Sequence, residues 1–147
     1  MRQESRKIIW VIGIAALVTV LIDLFWQFYF RLHSLGVENF GVSFGLGKEW
    51  GRVLSLIAYG FFVVWYLWGR YRGDRRTWPI LLVALGGLGN LICRLVWGSV
   101  WDYICFSWLP FCFNLADLLI SVGAISYILG VDGYSSVVRR QRNSGNK

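Results

Sequence analysis

The chain has little histidine, little cysteine and few acids: one, three and eight residues in 147. Each scarcity removes a class of function. A Ser-His-Asp nucleophile set would have to use His33, the lone histidine, which sits in a connecting segment. Cys93, Cys105 and Cys112 are too few for a disulfide-built secreted scaffold and lack metal-ligand spacing. Free thiols are therefore expected, with a Cys105–Cys112 pair outside the cell as the alternative. A phosphate-binding Walker A loop is absent, since Gly47-Lys48 has Val42 where the earlier glycine belongs. No metal and no cofactor are expected. Charged residues make up only 16% of the chain, against about a quarter in a soluble domain.

What is abundant is apolar. Hydrophobic residues are 56% and aromatics 18% of the chain. That excludes a disordered chain and exceeds what a small core can hide. Four apolar runs account for it: about 8–30, 53–69, 79–97 and 113–131. The first, interrupted only by Asp23 and Gln27, is long enough to cross about 30 Å of hydrocarbon and too long for a cleaved secretory leader. The third begins at Pro79, a good first-turn residue. The fold expected is a membrane all-α, four-helix bundle. A single integral membrane domain covers 1–147, with a polar, poorly ordered tail over 133–147.

The net charge of +7 has two explanations, nucleic-acid binding or membrane topology. Position decides between them. Arg2, Arg6 and Lys7 precede the first run, and Arg70, Arg72, Arg75 and Arg76 join the second to the third. Arg139, Arg140, Arg142 and Lys147 follow the fourth. These 11 of the 15 basic residues lie on one side of a four-span chain. Both termini are therefore expected to be cytoplasmic, and no nucleic acid is expected as a partner. The two outward segments, 31–52 and 98–112, are rich in Gly and aromatics. The first alternates weakly through Val37, Asn39, Gly41 and Ser43, which suggests a short sheet on the membrane surface.

Polar residues inside apolar runs are the candidate site. Asn90 and Arg94 are four apart and share a helix face, behind Gly86, Gly87 and Gly89, which permit close helix approach. Asn114 and Asp117 share a face at the start of the fourth run. Asp102 lies just beyond the outer end of the third. Two carboxylates thus approach one interface, where a shared proton would let one activate water while the other protonates a leaving group. The competing reading has one Asp capping a helix and the other pairing with Arg94. Asp23 is expected to hydrogen-bond loop backbone.

The stretches Gly86-Gly87-Leu88-Gly89-Asn90-Leu91-Ile92-Cys93-Arg94, Gly98-Ser99-Val100-Trp101-Asp102-Tyr103 and Phe113-Asn114-Leu115-Ala116-Asp117 resemble the signature of lipoprotein signal peptidase (signal peptidase II). That signature reads G-G-x-x-G-N-x-x-D-R, G-x-V-x-D-F and F-N-x-A-D. Asn39-Phe40-Gly41-Val42-Ser43-Phe44 is similar to the family's N-x-G-x-x-F, and Asp23 to the aspartate of its D-Q-x-x-K. The resemblance implies an aspartic endopeptidase that cuts diacylglyceryl-modified prolipoproteins just before the lipidated cysteine. It needs no cofactor or metal. Its catalytic pair would be Asp102 and Asp117, its substrate-binding residues Asn39, Asn90, Arg94 and Asn114, and its pocket support Asp23, Gly89 and Cys93. It also implies a bacterial cytoplasmic (inner) membrane location with an outward-facing site, a small extracytoplasmic β-cradle over residues 31–52, membrane lipids as surroundings, and a monomer. Cys93 stands where the motif has aspartate, Gln27 where it has lysine, and the Asp102–Asp117 gap is short. These departures keep open a weak or inactive relative that binds lipidated peptides without cutting. A small four-helix transporter with intramembrane acids is the third reading.

Overall fold

The computed structural model describes residues 3–41, 50–74 and 77–130. The tail expected to be poorly ordered and the outer segment from Val42 to Glu49 lie outside the described residues. Four helices run in chain order: α1 (Gln3–Leu32), α2 (Gly51–Tyr71), α3 (Thr77–Trp97) and α4 (Leu115–Ile128). Between them lie β1 (Val37–Asn39), β2 (Val100–Asp102), β3 (Ile104–Cys105) and β4 (Cys112–Phe113).

Three of these helices are long and apolar enough to cross a membrane: Ile9–Leu32 within α1, α2 and α3. The fourth expected span is shorter than the apolar run predicts. α4 has 14 residues, about 21 Å at 1.5 Å per residue. The run's first residue, Phe113, belongs to β4, and Asn114 adopts extended backbone and caps the helix behind it. α1, by contrast, extends beyond its apolar run at both ends.

α3 is the central helix and packs against α1, α2 and α4. Over half of its apolar window is buried, against 17% for α1 and 11% for α2. The outer helices turn large side chains outward, including Trp10, Phe25, Ile57, Phe61 and Val64. A helix so apolar on its exposed face is stable in lipid and not in water.

The α3–α4 contact depends on missing side chains. A Cβ on Gly86 would stand 2.6 Å from the carbonyl oxygen of Ala116, and one on Gly123 would stand 2.6 Å from that of Pro79. A Cβ on Gly87 meets nothing within 4 Å. Gly123→Ala is therefore expected to destabilise by about 1–3 kcal/mol through overpacking. Gly87→Ala is expected to be neutral or to stabilise by about 0.5–1 kcal/mol through helix propensity. Thermal unfolding in detergent checks the contrast; equal effects at the two positions would refute this account of the packing.

A small β structure is present among the described residues, and it draws on both outer segments. Among the described residues, β1 is the strand that comes from segment 31–52, and its partner β2 comes from the other outer segment. They pair antiparallel with Val37 opposite Asp102 and Asn39 opposite Val100. Gly36, at φ 120°, makes the turn into β1, where a side chain would strike the Asp102 carbonyl at 2.5 Å. β3 and β4 form a second antiparallel pair, with Cys105 opposite Cys112. These two cysteines form a disulfide, which corrects the expectation of free thiols. The pairing brings them within bonding reach across seven residues, a proximity that spacing alone does not reveal. Cys93 is the free, buried thiol.

Candidate functional site

Polar residues of α3, the start of α4 and the β1–β2 pair meet in one network. Asn114 stands at its centre, fully buried. As N-cap of α4 its side-chain oxygen accepts from the Asp117 backbone N–H at 2.9 Å, while the Asp117 carboxylate accepts from the Asn114 N–H at 3.2 Å. This reciprocal capping box satisfies two otherwise orphaned donors. The Asn114 amide nitrogen donates to Asp102 Oδ1 at 2.9 Å and to Asn90 Oδ1 at 3.2 Å. Asn90 in turn donates to Asp117 Oδ1 at 2.8 Å. Asn39, delivered by β1, donates to the second oxygen of Asp102 at 3.0 Å. Both carboxylates therefore have both oxygens engaged, entirely by neutral amide donors among the described residues.

The two carboxylates open onto a cleft of about 1130 Å³ that Asn39, Gly41, Asn90 and Arg94 also line. Asp102 is 4% exposed. Burial, followed by the neighbouring Asp117 charge, pushes its carboxyl up to about 6, against the opposing pull of the Asn39 and Asn114 hydrogen bonds and of Arg94. Such a group holds a proton much closer to neutrality than an ordinary aspartate, as proton-transfer chemistry requires.

Arg94 does not pair with either carboxylate. Its guanidinium, 3% exposed, donates through Nη2 to the Gly41 carbonyl, and its Nε has no partner among the described residues. The capping half of the competing reading is present in Asp117, yet the Arg94–aspartate half is not. Gly89 faces Val20, Ala116 and Asp23, where a Cβ would lie 3.3–3.8 Å from its neighbours. Cys93 is wholly buried behind the site.

From the sequence Asp23 is expected to hydrogen-bond loop backbone; it binds instead the first backbone N–H of α4, together with two side chains. Its Oδ1 accepts from the Leu115 N–H at 2.9 Å and the Tyr103 hydroxyl at 2.8 Å, and its Oδ2 from Gln27 at 2.7 Å. Burial, with the adjacent Asp23 charge, pushes the Tyr103 phenol up, so the hydroxyl remains a donor.

Sequence reasoning missed the support on the other side of β2. Arg31 is the last-turn cation of α1 rather than a free loop charge. It bridges Glu38 at 3.1 Å, the Ser99 carbonyl at 3.2 Å and the Ser99 hydroxyl at 3.0 Å, and it lies over the rings of Trp97 and Trp101. The Ser99 hydroxyl donates to Glu38 at 2.6 Å. The cluster ties α1 to both strands of the β1–β2 pair that presents Asn39 and Asp102. His33 is exposed in the turn after α1, against Tyr29.

Fold and site together define a multi-pass helical membrane protein with a buried amide–carboxylate cluster at one end of its helices. The family model for signal peptidase II matches residues 4–131, and the chain belongs to that family. It is 42% identical over 99 residues to a lipoprotein signal peptidase of Sinorhizobium fredii, covering 62% of this chain and 59% of that protein. It is 38% identical over 117 residues to one of Syntrophomonas wolfei, covering 77% and 75%. The chain thus spans well under two thirds of the first relative's length. Two solved bacterial membrane enzymes share the fold. One has a TM-score of 0.67 at 20% identity, covering 92% of this chain and 90% of its own. The other has 0.64 at 21%, covering 84% and 94%.

Proposed function

We propose that the chain is an aspartic endopeptidase that removes the signal peptide from diacylglyceryl-modified prolipoproteins, with Asp102 and Asp117 as the catalytic pair. The observation that carries this reading is the convergence of both carboxylates on one cleft, joined through one residue: the Asn114 side-chain amide donates to Asp102 and its backbone N–H donates to Asp117. Membership of the signal peptidase II family supplies the substrate class, and the named relatives are lipoprotein signal peptidases.

In this reading an extended peptide lies in the cleft. The ionised carboxylate takes a proton from water, and the resulting hydroxide oxygen bonds to the scissile carbonyl carbon. The protonated carboxyl gives its proton to the carbonyl oxygen. Collapse then breaks the C–N bond, and the departing amine of the lipidated cysteine takes up a proton. The pair titrates jointly, so neither residue is assigned the resting proton. Asn39, Asn90 and Asn114 hold the carboxylates. Arg94 lines the cleft and holds the Gly41 carbonyl through its guanidinium, which shapes the wall where substrate would bind. Asp23, Gly89 and Cys93 support the pocket from behind.

The chain forms one integral domain of four passes, with α4 in the last. Both termini are cytoplasmic and the site faces outward from a bacterial cytoplasmic membrane. The concentration of Lys and Arg on the terminal side supports this orientation. So does the Cys105–Cys112 disulfide beside the site, since disulfides persist outside the reducing cytosol. The enzyme works as a monomer among membrane lipids.

Cys93 and Gln27 motivate the second reading, a relative that binds lipidated peptides without cutting them. The network joining Asp102 to Asp117 closes without either residue, which favours catalysis. Purified protein in detergent is expected to cleave a diacylglyceryl-modified prolipoprotein, and Asp117→Asn is expected not to. Binding without cleavage by the wild type would establish the second reading instead. Proton-coupled flux in liposomes would establish the transporter.

A further inference from the structure

We propose that Gln27, with Asp23 one turn before it on α1, is a positioning residue. The two side chains clamp the backbone ahead of each catalytic aspartate, at Trp101 and at Leu115, and so set where Asp102 and Asp117 stand relative to each other. The proposal rests on the assignment of those two aspartates as catalytic.

The geometry is specific. Gln27 is 1% exposed and uses both ends of its amide. Its oxygen accepts the backbone N–H of Trp101 at 3.0 Å, and its nitrogen donates to Asp23 at 2.7 Å. Trp101 immediately precedes Asp102. Tyr103, which immediately follows it, is held through its hydroxyl by Asp23 at 2.8 Å, with its ring stacked on Phe30 of α1 at 4.9 Å. Asp102 is therefore bracketed by two residues that α1 fixes. The same Asp23 oxygen accepts the Leu115 N–H at 2.9 Å. Leu115 immediately follows Asn114, whose side chain bonds Asp102 and caps the turn carrying Asp117. One carboxylate thus joins the strand bearing the first aspartate to the helix start bearing the second.

Residue chemistry explains why an amide occupies position 27. The Trp101 N–H needs an acceptor and the Asp23 carboxylate needs a donor, and the glutamine amide supplies one of each. A lysine has three donors and no acceptor. It could satisfy Asp23 but would leave the Trp101 N–H without its side-chain acceptor. A methionine of similar length would satisfy neither group. The lysine of the resembled motif is thus not a functional improvement in this chain, and Gln27 is a working part of its site rather than a lesion in it.

The test uses full-length protein in detergent with a diacylglyceryl-modified prolipopeptide, comparing wild type, Gln27→Lys, Gln27→Met, Tyr103→Phe and Asp117→Asn. Misplaced catalytic groups lose rate, so kcat should fall at least about ten-fold in both Gln27 variants. KM should stay within about two-fold, because the cleft wall is untouched. Hydrogen exchange of the Trp101 amide should accelerate in both, and Gln27→Lys should be no rescue. Tyr103→Phe removes one hydroxyl and no backbone partner of Gln27. It should lower kcat several-fold, and it carries the test if the Gln27 variants do not fold. Wild-type kcat in Gln27→Lys and Gln27→Met, or a loss confined to thermal stability or to KM, overturns the positioning role while Asp117→Asn remains dead. Cleavage by Asp117→Asn, or none by wild type, overturns the catalytic assignment itself and the proposal with it.

Discussion

Asp102→Asn is expected to lower peptide cleavage by about 10²–10⁴-fold, the usual contribution of a proton-transferring side chain. It is also expected to change how stability responds to pH. In the folded chain burial and the Asp117 charge push the Asp102 carboxyl from its ordinary value of 3.8 up to about 6. Below the ordinary value the group is protonated whether the chain is folded or not, and the fold enjoys the neutral form in full. As pH rises through about 6 that advantage is lost, because the unfolded chain ionises more readily. A difference of about two pKa units corresponds to about 3 kcal/mol. Wild-type stability relative to Asp102→Asn should therefore fall between about pH 4 and pH 7. Melting temperatures of both proteins across this range in one detergent check it. Parallel curves would show that Asp102 does not carry a raised carboxyl.

Asn114→Ala is expected to be the most damaging single amide change. It deletes the N-cap acceptor for the Asp117 N–H and the donors to Asp102 and Asn90. Loss of a cap costs about 1 kcal/mol, and a buried polar group left unpaired costs about 1–3 kcal/mol. A net destabilisation of about 2–4 kcal/mol follows. Cleavage should fall by about 10²-fold or more, since Asp102 loses one of its two donors and the turn that carries Asp117 loses its cap. Asn114→Asp separates these effects. It retains the capping oxygen and so recovers part of the stability, yet it sets a third carboxylate against the pair and stays inactive. Equal activity of Asn114→Asp and wild type would contradict the bridging role.

Legibility of the fold in the sequence followed the range of the interaction concerned. Apolar runs located all four helices because burial in lipid is a local property of composition. Their ends were less legible. α4 starts two residues inside its apolar run because Asn114 and Asp117 form a capping box, and the two residues before Asn114 pair with β3. The β1–β2 ladder was half legible. Alternation marked Val37 and Asn39, but their partners lie more than 60 residues away in a segment with no comparable pattern. Most site residues stood out as polar interruptions of apolar runs or as spaced motifs. The supporting shell did not. Arg31 looked like an ordinary membrane-flanking cation, and only the folded chain places it between two tryptophans and Ser99. Gln27 looked like a defect, because a motif records which residue is usual and not which hydrogen bonds the position must make. The Cys105–Cys112 bond was open for the same reason: pairing follows from strand register, which two short strands scarcely encode.

The central claim is tested most directly by identifying the bond that is cut. Purified wild-type protein is incubated with a diacylglyceryl-modified prolipoprotein and with its unmodified counterpart, and the products are read by mass spectrometry. The account predicts one cleavage immediately before the lipidated cysteine, no cleavage of the unmodified chain, and loss of the product in Asp102→Asn and Asp117→Asn. A product cut elsewhere, or the same product from either aspartate variant, would contradict it.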